Sequence, residues 1–239
     1  MRKVAIIQAR MGSTRLPGKV LADLAGEPVL TRVINRVNRA ESLDEVIVAT
    51  TTMPSDEPIV ELCQSHEISC FRGSEDDVLD RYYHAALQHS AELVVRITSD
   101  CPLIEPCIID RVVEEYLKGD GALHYVSNTL PHRTYPRGLD TEAISFNTLA
   151  CAWQEDDNPG WREHVTPFIY RNPDRFQIQS IVHNIDLSHH HWVVDTLEDL
   201  KFIRQIYNYF MRDDFDWTEV LELLERHPEW LEINRHIRQ

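Results

Sequence analysis

Val4-Ala5-Ile6-Ile7-Gln8-Ala9-Arg10-Met11-Gly12-Ser13-Thr14-Arg15-Leu16-Pro17-Gly18-Lys19 reads as an apolar strand that opens into a loop of glycines, hydroxyls and cations. Gly12 and Gly18 let backbone N–H groups face an anion, Ser13 and Thr14 add hydroxyl donors, and Arg10, Arg15 and Lys19 supply charge. Such a loop, at the C-terminal end of a first parallel strand, lies where α/β folds bind ligands, and it is built for phosphates. Two familiar phosphate loops are excluded by counting. Five residues separate Gly12 from Gly18 and Val20 follows Lys19, whereas a Walker loop needs four and then Ser or Thr; the G-x-G-x-x-G fingerprint is absent as well.

Outward from this loop, apolar runs of strand length alternate with amphipathic segments through the first hundred or so residues, the pattern of a parallel sheet covered by helices. Strands are expected at Val4–Ala9, Val46–Thr50, Ser69–Phe71 and Leu93–Ile97. Helices are expected over Pro28–Ala40, from the Ser55-Asp56-Glu57-Pro58 cap onward, over Asp76–Ser90 and over Pro106–Leu117. Beyond Ala122 come short strand-like runs at His124–Ser127, Leu139–Ser145, Phe176–Val182 and His191–Val194, then helices at Leu197–Phe210 and Thr218–Leu231. Arg162 and His164 fall at the start of a helix after Pro159-Gly160. His189-His190-His191 cannot all face one ion from a strand, because side chains alternate faces, so a polar junction is the better reading.

The formal net charge is −15, which repels polyanions and argues against general nucleic-acid or acidic-membrane binding. An anionic ligand therefore needs a local basic site, and the acid-free loop from Arg10 to Lys19 is one. The N-terminus lacks a signal-peptide core, and no stretch approaches the roughly 20 apolar residues of a membrane span. The 5 cysteines are odd in number and show no C-x-x-C spacing, which suits reduced thiols in a cytoplasmic protein.

The run Gln8 to Leu21, followed by Leu24-Ala25-Gly26-Glu27-Pro28, resembles the opening of the cytidylyltransferase family that includes CMP-Kdo and CMP-neuraminate synthetases. Within it the chain most resembles the branch of the spore coat polysaccharide biosynthesis protein SpsF. The similarity continues through Phe71–Arg81, Arg96–Leu103, Pro136–Glu142, Arg162–Pro167 and Val193–Leu200, and so spans nearly the whole chain. It implies a Rossmann-like α/β/α sandwich of the nucleotide-diphospho-sugar transferase fold. The expected layout is one nucleotidyltransferase domain over 1–239, with a nucleotide-binding half to about 120, substrate-binding elements to about 195, and C-terminal helices over 196–239.

The reaction so implied is attack by a sugar or sugar acid on the α-phosphorus of CTP with Mg²⁺, releasing pyrophosphate. Arg15, Lys19 and Asp100 would be catalytic. Gln8, Ala9, Arg10, Gly12, Ser13, Thr14, Arg15, Lys19, Arg72 and Ser74 would bind the nucleotide. Arg81, Arg137, Asp140, Arg162 and His164 would bind the sugar, and Asp100 with Asp195 would hold the metal. Residue chemistry alone leaves alternatives open: Asp100 as a turn cap, Asp195 as a helix cap, Arg72-Gly73-Ser74 as a turn, Asp80 and Arg81 on an exposed helix face. The Leu197–Phe210 helix can pack on the sheet or on a second copy in a homodimer. No base-reading residue and no general base are identifiable. A glycosyltransferase of the same fold is the main rival; the only Asp-x-Asp, Asp214-Phe215-Asp216, lies in the C-terminal segment and argues against it. A catalytically silent binding member is the other.

Overall fold

The computed structural model of the chain describes residues 1–235. β1 (Lys3–Gln8) leads to two short strands, β2 (Asp23–Leu24) and β3 (Glu27–Pro28), which pair antiparallel with each other. There follow α1 (Val29–Val37), β4 (Glu45–Thr51), α2 (Glu57–Ser65), β5 (Ser69–Gly73), α3 (Val78–Gln88), β6 (Leu93–Thr98) and α4 (Pro106–Lys118). The later part adds β7 (Tyr125–Ser127), β8 (Glu142–Ser145), α5 (Phe146–Glu155), α6 (Pro159–His164), α7 (Pro167–Tyr170), β9 (Ile178–Ser180), α8 (Leu197–Phe210) and α9 (Trp217–Arg226).

The main sheet runs in the order β5-β4-β1-β6-β8-β7-β9. Its first four strands are mutually parallel, and β8 pairs antiparallel with both β6 and β7. Alternation along β1 sorts the layers. Ala5 and Ile7 enter a core shared with α1, α4 and α8, while Val4 and Ile6 enter a second core with α3 and α5 on the other face. Each fully buried Val or Ile contributes roughly 1.5–3 kcal/mol of burial. Two such cores on one mostly parallel sheet make the α/β/α sandwich that the family resemblance implies and with which the alternating pattern agrees.

The chain moves from β1 outward through β4 to β5, then returns to the other side of β1 with β6. A crevice therefore opens between the C-terminal ends of β1 and β6, where α/β folds bind ligands. No helix among the described residues is long and apolar enough to cross a membrane.

Several local expectations change. The His191–Val194 run forms no strand: only an isolated bridge joins Arg137 and His191. Its backbone is used elsewhere, with Trp192 N–H donating to the Arg137 carbonyl and Val194 N–H to the Asp100 carbonyl, each at 2.8 Å. Gly138, at φ 105°, permits this approach, since a Cβ there would meet the Trp192 backbone at 2.8 Å. The run from Leu139 becomes a strand only at Glu142, and Phe176–Val182 shortens to β9.

The helix ends are also capped differently. Asp56 closes a 3₁₀ turn, Pro54–Asp56, and its side chain does not cap α2. Thr196, not Asp195, caps α8, in a reciprocal box with Asp199. Arg162 and His164 lie at the end of α6, whose start is capped by Asn158. The tail helix divides into α9 and a 3₁₀ segment, Pro228–Glu232; of the expected C-terminal helical region, 236–239 lie outside the described residues.

Candidate active site

The loop after β1 is shaped mostly by its own backbone. Ser13 and Gly18 N–H groups both donate to the Met11 carbonyl, at 2.8 and 3.0 Å, and the Ser13 hydroxyl accepts from Leu16 N–H at 3.3 Å. Gly18 sits at φ 71° and launches the 3₁₀ turn Lys19–Leu21. The N–H groups of Gly12, Thr14 and Arg15 find no acceptor among the described residues, which leaves them as donors for an anion. The loop is pinned from below by Asp56, which accepts from Met11 N–H at 2.7 Å and from the Thr51 hydroxyl. At 2% exposure, Asp56 is an internal support rather than a surface cap.

Lys19 points back into the crevice. Its Nζ donates to Asp100 Oδ2 at 2.7 Å and to Asp195 Oδ1 at 2.8 Å, with the side chain only 11% exposed. Arg15 reaches the other Asp195 oxygen at 2.8 Å. Asp100 is oriented by the Thr98 hydroxyl, which donates to its Oδ1 at 2.7 Å. Asp195 is brought beside it by the Val194-to-Asp100 backbone bond, so the two carboxylates, distant in sequence, come from adjoining loops.

The charges reinforce one another. Burial alone would lower the Lys19 ammonium and raise the Asp100 carboxyl; the mutual attraction and hydrogen bonds outweigh it, leaving Lys19 raised above the ordinary lysine value and Asp100 held below the usual carboxylate range. The adjacent Cys101 thiol is pushed well up, by burial first and by the Asp100 charge second, which keeps it protonated and unreactive.

These groups wall a cleft of about 330 Å³, lined by Gln8, Arg10, Gly12–Arg15, Lys19, Arg81, Asp100, His164 and Asp195 among others. A second cavity of about 450 Å³ adjoins it, sharing Thr98 and His164 and lined by Arg96, Arg133, Arg137, Asp140 and Glu142. A larger cavity of about 610 Å³, bounded by Glu92, His124, Ser145 and Phe146, lies at the opposite ends of the strands and gathers no cluster of cations.

The crevice thus brings together Gln8, Ala9, Arg10, Gly12, Ser13, Thr14, Arg15, Lys19, Asp100 and Asp195. It also includes Arg81, which is 1% exposed and so does not lie on an exposed helix face. The Arg81 Nη1 donates to the Ser74 carbonyl at 2.6 Å, and burial lowers its pKa. Arg137 and Asp140 line the second cavity, where Asp140 forms a two-pronged pair with Arg133.

Three of the expected residues are set apart from the crevice. Arg72 donates to the Thr51 and Met53 carbonyls and pairs with Glu57 at 2.7 Å. Ser74 accepts from Asp77 N–H at 3.1 Å. Arg162 pairs with Asp77 at 2.7 Å and donates to the Trp153 and Asp156 carbonyls, clamping α6 to the ends of α3 and α5.

Sequence reasoning misses the supports of the site: Asp56, Thr98 and Glu142. Glu142 is buried and accepts from Arg96, from the Tyr125 hydroxyl and from the Thr166 hydroxyl at 2.9 Å; Arg96 in turn donates to the Gln8 side chain at 3.2 Å. Thr98, two residues before Asp100, has a readable signal in its short spacing. Asp56 and Glu142 have none, because their partners are set by the sheet.

Comparison with known proteins follows the same lines. Residues 4–230 match the sequence profile of the family described as cytidylyltransferase. The uncharacterized protein MJ1063 of Methanocaldococcus jannaschii is 37% identical over 241 aligned positions, covering 100% of this chain and 97% of its own. The spore coat polysaccharide biosynthesis protein SpsF of Bacillus subtilis is 29% identical and covers 94% of each chain, in accord with the resemblance read from the motifs. A solved structure of a cytidylyltransferase from Leptospira borgpetersenii superposes with a TM-score of 0.92 at 31% identity, over 96% of each chain.

Proposed function

The chain belongs to the cytidylyltransferase family, and from that premise we propose that it is a Mg²⁺-dependent enzyme that transfers CMP from CTP to a sugar or sugar acid, releasing pyrophosphate, in surface polysaccharide biosynthesis. Nucleotidyl transfer is the activity of the family.

One observation carries it: Asp100 and Asp195 converge on a single cationic atom, Lys19 Nζ, at 2.7 and 2.8 Å, beneath a loop of free N–H donors. Two carboxylates already enclosing one positive point suit a hard cation that takes one or two carboxylates and completes its shell with phosphate oxygens and water. No group of three potential metal-binding side chains occurs among the described residues, so triphosphate and water would supply the rest. Asp100 and Asp195 would hold Mg²⁺, which when bound neutralises triphosphate charge and polarises the phosphoryl group.

The remaining work is positioning and charge stabilisation by this chain's own groups. Gly12, Thr14 and Arg15 N–H groups bind phosphate oxygens, and Lys19 and Arg15 balance the charge that develops on the leaving pyrophosphate. The second cavity receives the acceptor, with the exposed Arg137 guanidinium at its rim. The unpaired cysteines suit a cytoplasmic setting.

Pyrophosphate release from CTP, Mg²⁺ and a panel of sugars and sugar acids tests the reading, with the other three nucleoside triphosphates as controls. Turnover is expected with CTP and at least one acceptor. Turnover with another triphosphate but not CTP would overturn the nucleotide assignment, and none with any pair would overturn transfer.

A further inference from the structure

His164 stands where the nucleotide cleft meets the second cavity and lines both. It is exposed, and no described residue hydrogen-bonds its ring.

An unusual backbone holds it there. α6 ends at His164, and Val165 follows at φ 70°, ψ −51°, a region that β-branched residues avoid. Thr166 N–H donates to the His164 carbonyl at 2.8 Å, closing a γ-turn of the rare, strained hand. The surroundings enforce it. The Val165 side chain is 0% exposed in the core beside α3 and α5, and the Thr166 hydroxyl is tied to Glu142 at 2.9 Å. Strain of this kind persists only where the neighbouring structure over-determines it, and here it fixes where one imidazole sits.

Each carboxylate lining the two cavities lies beside a cation. Asp100 and Asp195 bind Lys19, Asp140 binds Arg133, Glu142 binds Arg96, and Glu163 lies 3.9 Å from Arg10. Resting on the nucleotidyl-transfer reading, we infer that His164 is the proton acceptor for the attacking hydroxyl. A ring nitrogen takes the acceptor's O–H proton as that oxygen bonds to the α-phosphorus. The bond from the α-phosphorus to the bridging oxygen breaks, and its electron pair leaves with pyrophosphate. The imidazolium then returns its proton to water.

The test uses the full chain and its His164→Ala and His164→Asn variants, with CTP, Mg²⁺ and the sugar and sugar-acid panel. Both variants should lose about 10²–10³-fold in kcat, the scale of a general base, while calorimetry finds CTP affinity within about twofold of wild type. Added imidazole should restore His164→Ala about tenfold, which a merely structural role would not show. A kcat within about threefold of wild type, CTP affinity lost in step with kcat, or an alanine variant indifferent to imidazole would each overturn the assignment. An inactive wild type removes the transfer reading and this role with it; an active wild type with active variants removes the His164 role alone.

Discussion

Asp56 accepts a hydrogen bond from the backbone N–H of Met11 at 2.7 Å, so the turn before α2 holds the loop after β1 in place. The other Asp56 oxygen takes the Thr51 hydroxyl. Asp56→Ala leaves both donors without their partner in a buried place, which costs about 1–3 kcal/mol. Urea unfolding should show that loss, and calorimetry should show weaker CTP binding. Full stability in the variant would mean that water replaces the carboxylate.

Asp100→Ala should abolish Mg²⁺-dependent turnover, by about 10²–10³-fold or more, while the fold survives, because the residue follows a strand end and is not part of the apolar core. Pyrophosphate release and circular dichroism check the two halves. Unchanged activity removes Asp100 from the mechanism.

Lys19→Ala should weaken CTP binding by roughly 10–100-fold, the worth of a charge-assisted hydrogen bond in a sheltered site. Calorimetry decides it, and equal affinity in the variant would sink the phosphate-loop assignment.

The Lys19–Asp100 pair also predicts a pH signature. Asp100 is depressed in the folded chain, so its contribution to stability is present above the ordinary aspartate value of about 3.9 and is lost as pH falls through the lower folded value. Lys19 is raised, so its share is present below the ordinary lysine value and is lost as pH rises through the folded one. Urea unfolding of wild type and Asp100→Asn from pH 3 to 7 should therefore show wild type losing ground below about pH 4. A wild-type advantage that grew towards acid would contradict the depressed carboxylate.

Glu142→Ala strands the partly buried Arg96 charge and removes the acceptor of the Tyr125 and Thr166 hydroxyls. Losing one partner of a buried ion pair costs about 3–5 kcal/mol. Because Thr166 adjoins the Val165 turn, kcat should also fall; a variant stable to within about 1 kcal/mol in urea would show that the network contributes little.

The parallel half of the sheet is legible because three of its four strands, β1, β4 and β6, are local properties, apolar β-branched runs with the right length and flanks. The α8 span, Leu197–Phe210, coincides with the helix expected from its apolar spacing. Beyond Leu123 the bounds blur: the runs His124–Ser127, Leu139–Ser145 and Phe176–Val182 each hold a strand, β7, β8 and β9, of only three or four residues, and the His191–Val194 run spends its backbone on Arg137 and Asp100 instead of on a ladder. Arg162 shows the same limit at the site, since nothing local reveals that its guanidinium is taken by Asp77 and two carbonyls.

By itself, then, the sequence determined that a loop of glycines, hydroxyls and cations follows a buried first strand, because strand propensity, glycine freedom and charge are written within a few neighbouring residues. Only the tertiary structure decided what that loop faces. Asp100 and Asp195 meet on Lys19 because β6 lies beside β1 and because Val194 hydrogen-bonds to the Asp100 carbonyl. His164 stands between the two cavities because packing around Val165 holds a backbone turn that the chain would not adopt alone.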